Sequence, residues 1–192
     1  MAEYPGSTSR DYTFVTGSAP AAAGGEADPL KGSLVHIAAA AGQHHCIQRC
    51  DFSYSADVTM GELTIGLATT VSAVDGNTAT VNDATGFSVG DVPVRVDNDT
   101  SSGSSVYAQL ATPRALTVVN ETTNVLTFAD AHSLAIGDVI IKVEYMLYVT
   151  GGGAGPLIGN DTPLFIGNKG AGVGIWLKEI ADTASRLNVL YY

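Results

Sequence analysis

One unit of this chain occurs twice, and a repeated unit has to find a fold in which both copies bury their apolar face. Val71 to Val96 resembles Leu116 to Val143. Thr80-Val81-Asn82-Asp83-Ala84 lines up with Thr127-Phe128-Ala129-Asp130-Ala131, Phe87 with Leu134, Val89 with Ile136, and Gly90-Asp91-Val92 with Gly137-Asp138-Val139, all at an offset of 47. Upstream, Val74 and Val119 match at an offset of 45, so the difference falls between Asp75-Gly76-Asn77 and Asn120-Glu121-Thr122-Thr123-Asn124, where a hairpin turn absorbs it. Each copy reads as a strand, a turn, a second strand, a corner holding one apolar plug (Phe87 or Leu134), a Gly-Asp turn and a third strand. The glycine permits positive φ, and the aspartate can accept backbone N–H bonds within the turn. Two such three-stranded units can pack face to face as a small barrel or sandwich over residues 71–144.

The rest of the chain carries the same strand signal, short runs rich in Val, Ile, Thr and Tyr broken by Gly, Asn and Asp. The expected strands are Ser33 to Ile37, Cys46 to Tyr54, Glu62 to Leu67, Thr78 to Val81, Val92 to Val96, Ala115 to Val119, Val125 to Phe128, Val139 to Val149, Pro163 to Ile166, Val173 to Lys178 and Leu187 to Tyr191. Their spacing is that of sandwiches and barrels, and the fold class is all-β. Trp176, Ile180, Ala184 and Leu187 fall at helical spacing, but the alternation of Val173, Ile175 and Leu177 favours a strand there. Asp97 to Ser105 has no apolar residue and reads as a solvated loop. Residues 1–32, with Pro5-Gly6-Ser7, Gly17-Ser18-Ala19-Pro20 and Gly24-Gly25, read as an extended N-terminal arm or a frayed terminus. Tyr4, Tyr12 and Phe14 are the side chains that would dock such an arm on a neighbouring subunit, and they are the candidate interface residues.

Charge narrows the list of partners. With 9 basic against 19 acidic side chains and a net charge of −10, the chain lacks the clustered Lys and Arg that phosphate backbones and anionic membranes require, so neither nucleic acid nor membrane is an expected partner. Charged residues make up 15%, where an ordinary soluble domain carries about 25%, so much of the surface is suited to protein contact. No apolar run approaches the ~18 residues of a membrane span, and the start lacks a secretory pattern, so synthesis in a cytoplasm is expected.

Motifs that could carry chemistry are few. His44-His45-Cys46 and Cys50 are adequate zinc ligands by type. On one strand, however, the two cysteines share a face at about 13 Å, too far to bridge or to hold one ion, so neither a disulfide nor a metal is expected. Asp97, Asp99 and Ser101 imitate the opening of a calcium loop, but Ser102 stands at the glycine position and Ala108 at the final glutamate position. The glycine runs Gly151 to Gly155 and Gly167 to Gly174 fit neither nucleotide-binding fingerprint and read as turns and close strand approach. No nucleophile–base motif and no paired acids occur, so no catalytic residue and no cofactor is assigned.

Ser53-Tyr54-Ser55, followed by Met60-Gly61-Glu62-Leu63-Thr64-Ile65 within the run from Cys50, resembles a pattern of tailed-bacteriophage virion proteins: a strand ending in Ser-Tyr-Ser, a small-residue turn with glycine, then Leu-Thr-Ile. The far end is similar to the same group through Tyr148-Val149-Thr150-Gly151, Gly153-Ala154-Gly155-Pro156, Leu164, the strand Val173 to Leu177 and Arg186-Leu187-Asn188-Val189. Met60-Gly61 stands where that group has Gly-Gly, and Asp182-Thr183-Ala184-Ser185 where it has a glycine-rich turn. The resemblance covers 33–70 and 145–192 and implies a β-sandwich whose surface loop carries the duplicated region, 71–144, as an insertion. It implies a capsid cement or decoration protein on the outer surface of the virion, bound to the major capsid protein and to itself as a homotrimer. A carbohydrate-binding module of a tail or fibre, for which the insertion offers Tyr107 beside Phe87 and Phe128, the last two reading as core, and a head-to-tail connector or tail-tube component are the alternative readings.

Overall fold

The computed structural model describes residues 13–19, 32–54, 58–99, 106–110, 114–151, 154–159, 162–178 and 185–192. They form strands and no helix: β1 (Thr13–Ala19), β2 (Gly32–Ile37), β3 (Cys46–Tyr54), β4 (Val58–Asp75), β5 (Thr78–Val81), β6 (Val94–Asp99), β7 (Val106–Gln109), β8 (Leu116–Asn120), β9 (Val125–Phe128), β10 (Val139–Gly151), β11 (Ala154–Ile158), β12 (Phe165–Ile166), β13 (Gly172–Lys178) and β14 (Ser185–Tyr191). All pairings are antiparallel. One sheet runs β1-β14-β3-β11, with β12 also on β3; the other runs β7-β6-β10-β4-β5-β9-β8, with β13 joining β4 to β2. The fold class is all-β with two sheets, and Trp176 lies on a strand.

The first core lies between the sheets. Val35 and Ile37 of β2, Leu63 and Ile65 of β4, and Val173, Ile175 and Leu177 of β13 meet Ile47, Cys50, Phe52 and Tyr54 of β3 and Leu187 and Val189 of β14. Alternation along each strand sends these side chains to one face. β13 is buried on both faces because Trp176 packs on the other side with Leu34, Ala68, Val96, Val139 and Ile141.

The duplicated region builds its own core from both copies: Val71, Ala79, Val81, Ala84 and Phe87 against Leu116, Leu126, Phe128, Leu134 and Ile140. In the β5–β9 ladder Ala79 faces Leu126, its own equivalent at the offset of 47, so a local two-fold axis passes through that pair. The hydrogen bonds obey the axis. Gly90 N donates to Leu116 O at 2.8 Å and Gly137 N to Val71 O at 2.9 Å; Val81 N donates to Asn124 O at 2.8 Å and Phe128 N to Asn77 O at 2.9 Å. Inside each Gly-Asp turn the aspartate accepts one backbone N–H at 2.7 Å, Ser88 N on Asp91 Oδ2 and Ala135 N on Asp138 Oδ2. Gly90 (φ 92°) and Gly137 (φ 98°) adopt the left-handed backbone that these turns need. The change of offset is a change of hairpin: Asp75 pairs with Thr78 across two residues, and Asn120 pairs with Val125 across four.

Two expectations are corrected. Asp97 to Asp99 belong to β6 rather than to a solvated loop, because β7 offers them an antiparallel partner from Asp97↔Ala108 to Asp99↔Val106, and Asp138 Oδ1 accepts Asn98 N at 3.1 Å. Cys46 and Cys50 do not share a face. The ladder of β3 with β14 shifts register between Arg49 and Ile47, and this β-bulge puts Ile47 and Cys50 both in the core, leaving Cys46 half-buried on the other side.

The plug positions give a direct test. Phe87→Ala lowers the unfolding free energy by about 3–5 kcal/mol and Leu134→Ala by about 2–5 kcal/mol in urea titrations, whereas Val89→Ala and Ile136→Ala, exposed in the same turns, stay within about 0.5 kcal/mol of the parent.

Candidate functional site

Among the described residues, β10 carries a long stretch of sheet edge without a strand partner. One edge pairs with β4 along the whole strand, to Gly151↔Val58, but the other pairs with β6 only at Val139, Ile140 and Ile141. From Val143 to Gly151 that second edge has no strand partner among the described residues. Its side chains include Tyr145 (42% exposed), Met146 (41%) and Tyr148 (58%), and Glu144 is the one charged residue of the stretch. Soluble proteins blunt such edges with Lys, Pro or a covering element; a long apolar edge left open is a pairing site. A bulge between Val143 and Tyr145 bends the strand at the start of the open edge.

Gly66 of β4 makes that bulge possible, since a Cβ there would collide with the Lys142 carbonyl. Lys142 ties the edge strand to the first copy of the duplicated unit. Its Nζ donates to Gly86 O at 2.9 Å and pairs with Asp91 Oδ2 at 3.3 Å. The Tyr-Ser…Gly-Glu-Leu-Thr-Ile pattern has a local reason too. The Tyr54 ring lies against Gly61, where a Cβ would meet it, and its hydroxyl donates to Lys178 O at 2.8 Å, joining β3 of one sheet to β4 and β13 of the other.

The predicted residues fall as follows. Tyr4 and Tyr12 lie outside the described residues. Of Phe14 the structure gives the backbone, in β1 and opposite Leu190, so Thr13–Ala19 of the segment read as an arm is an edge strand of the chain's own sheet. His44 Nδ1 contacts Gly167 O at 2.8 Å and His45 Nε2 contacts Ala38 O at 2.9 Å, so the two histidines of the His/Cys cluster hold loops. No group of three His, Cys, Asp or Glu side chains able to hold a metal occurs among the described residues. Burial pushes the Cys50 thiol up to about 12, helped by Asp51. Gly172 and Gly174 allow close strand approach: a Cβ on Gly172 would lie 2.6 Å from Ala68 O, and one on Gly174 2.7 Å from Ala68 Cβ.

His36 belongs to none of the sequence motifs, and the structure gives it a place. Its cross-strand row is His36–Gly174–Gly66, in which only His36 has a side chain. The ring extends to β4, with Nδ1 3.3 Å from Thr70 Oγ1. Burial holds its pKa below the ordinary 6.5, a hydrogen bond to the Ala68 carbonyl opposes the shift, and His45 adds to it. The two glycines that free this space were the available signal.

No protein-family model and no curated protein matches this chain. Among solved structures it is similar to the VP16-VP17 complex, a complex of the two major capsid proteins of bacteriophage P23-77, at 11% identity over 94% of this chain and 97% of that chain, with a TM-score of 0.23. It is also similar to VP17, a capsid protein of the same phage, at 11% identity over 94% and 96% of the two chains, with the same TM-score. A score that low does not denote a shared fold, and these matches carry no argument about this chain.

Two measurements check the electrostatics. Because folding depresses the His36 pKa, its contribution to stability is complete above pH 6.5 and is lost as pH falls from there toward the folded-state value. The drop in unfolding free energy between pH 7.5 and 5 is therefore smaller in His36→Gln than in the parent, the slopes differing by at most about 1.4 kcal/mol per pH unit. With Cys50 buried and its thiol at about 12, a disulfide reagent at pH 8 labels Cys46 in the native protein and reaches Cys50 only in denaturant.

Proposed function

We propose that the protein is a structural component of a tailed-bacteriophage virion, of the cement or decoration type. It binds the major capsid protein stoichiometrically on the outer surface of the shell and associates with itself as a homotrimer. The observation that carries this reading is the open β10 edge from Val143 to Gly151 with Tyr145, Met146 and Tyr148 on it, a surface made for backbone pairing and apolar contact with another polypeptide. The resemblance in Ser53-Tyr54-Ser55 and Met60 to Ile65 supports it, and so does an acidic, sparsely charged composition. In this reading 33–70 and 145–192 form the shell-binding sandwich, 71–144 is an insertion, and Tyr4 and Tyr12, with Phe14 on the edge strand β1, add contacts between subunits. Many copies, each burying ~800 Å² per partner, would let the shell resist the pressure of packaged DNA. Action is by contact rather than turnover.

Quantitative mass spectrometry of purified virions tests this. Hundreds of copies per particle are expected; about six or twelve would assign a connector or tail part under the same symmetry logic, and absence would end the virion reading. Tyr145→Asp with Tyr148→Asp is expected to weaken shell binding by at least about tenfold while leaving the urea midpoint unchanged, since aromatic anchors dominate such interfaces.

A further inference from the structure

We propose that residues 1–12 of the chain lie across one end of the outer face of the β1-β14-β3-β11 sheet and cover an apolar patch on it. Where Cys50, Val189, Leu157 and Phe165 face the core, alternation sends Arg49, Leu190, Ile158 and Ile166 outward, together with Cys46 and Tyr192. Ile158 is 50% and Ile166 55% exposed, while Cys46, Leu190 and Tyr192 are half-buried. Arg49 is the one charge among them. Its Nε donates to Asp51 Oδ1 at 2.8 Å, which draws the guanidinium toward the end of the face where Asp51, Asn188, Ser53 and Arg186 stand and leaves its carbon stem in the patch. The outer face is thus polar at one end and apolar at the other. This inference does not rest on the capsid reading.

Register selects the occupant. Thr13, the first residue of β1, pairs with Tyr191, and one step further along the sheet Cys46 N donates to Tyr192 O at 2.9 Å and Tyr192 N to Cys46 O at 3.1 Å, with Ile166 opposite Cys46. The chain therefore enters β1 from the apolar end of the face. From β1 to β12 is three strand spacings, about 14 Å, and twelve extended residues span up to ~40 Å, so residues 1–12 are long enough to cross the patch. They carry Tyr4 and Tyr12, with Pro5-Gly6 as a place to turn. A tyrosine ring covers apolar surface while its hydroxyl stays in water. Attachment at the rim gives this segment an effective concentration of about millimolar at the patch, whereas a second copy would bring its net charge of −10 against the same charge. Cover of the patch and contact with a neighbouring subunit are then alternative states of one segment.

The Cys46 thiol, on the patch, reports the cover in the full chain, since Cys50 is buried in the core. Tyr4→Ser with Tyr12→Ser is expected to speed the native reaction of Cys46 with dithionitrobenzoate by at least about tenfold, the scale of lost aromatic anchors, at an unchanged unfolding midpoint. Ile158→Ser with Ile166→Ser is expected to do the same, and if that pair does not fold the tyrosine pair decides alone. The parent rate is expected to be independent of protein concentration. A rate that the tyrosine pair leaves unchanged would overturn the proposal, and so would acceleration by only one of two folded pairs. Protection that fades on dilution would assign the cover to a second copy and would overturn it as well.

Discussion

Over Glu62–Ala68, β4 pairs at once with β13 on one edge and, with a bulge, β10 on the other, and it then runs on to Asp75 as the first strand of the duplicated region. A strand paired on both edges and covered on both faces has no room for large polar side chains, which is why Leu63-Thr64-Ile65-Gly66-Leu67-Ala68-Thr69 is apolar or small throughout and buried throughout. The same ladder reaches Thr70↔Val139, where Gly137 N on Val71 O and Val71 N on Asp138 O close the local two-fold. Sandwich and duplicated region therefore share backbone hydrogen bonds rather than touching through a linker.

That sharing sets what the surfaces can do. Since β4 is paired on both edges, β10 lies outside it, and since β6 begins at Val94, opposite Ile141, the remainder of β10 has no strand partner on that edge among the described residues. At its other end β6 runs on past Val139 to pair with β7, and there a cleft lined by His36 and Asn98 opens against β2. The open edge and the cleft both follow from where two ladders diverge, on opposite sides of Val139–Ile141.

Much of this was legible in the residues. β3, β5 and β9 have the expected bounds because β-branched alternation and flanking turn residues coincide there. The duplication specified the plugs, the Gly-Asp turns and the hairpin of unequal length. What stayed hidden depends on distant partners. β4 is far longer than Glu62 to Leu67 because Met60-Gly61 looks like a turn and is instead held straight by the pairing of Gly61 with Val149. β1 exists because β14 offers an edge, and β11 tolerates Pro156 because it lies at the end of its sheet. The bulge in β3 that separates the two cysteines leaves no local mark. The open edge was invisible for the same reason: Val139 to Val149 reads as a strand whether one neighbour flanks it or two.

Native-state hydrogen exchange, resolved by residue, tests most directly whether one ladder carries both cores. The slowest amides of β4 at Leu63, Ile65 and Leu67 and those of the duplicated region at Leu126 and Ile140 are predicted to exchange through a single global opening, with equal free energies and equal sensitivity to denaturant. Exchange of Leu126 and Ile140 at a clearly lower free energy, while Leu63 and Ile65 stay protected, would show two independent units joined in sequence only and would contradict the account.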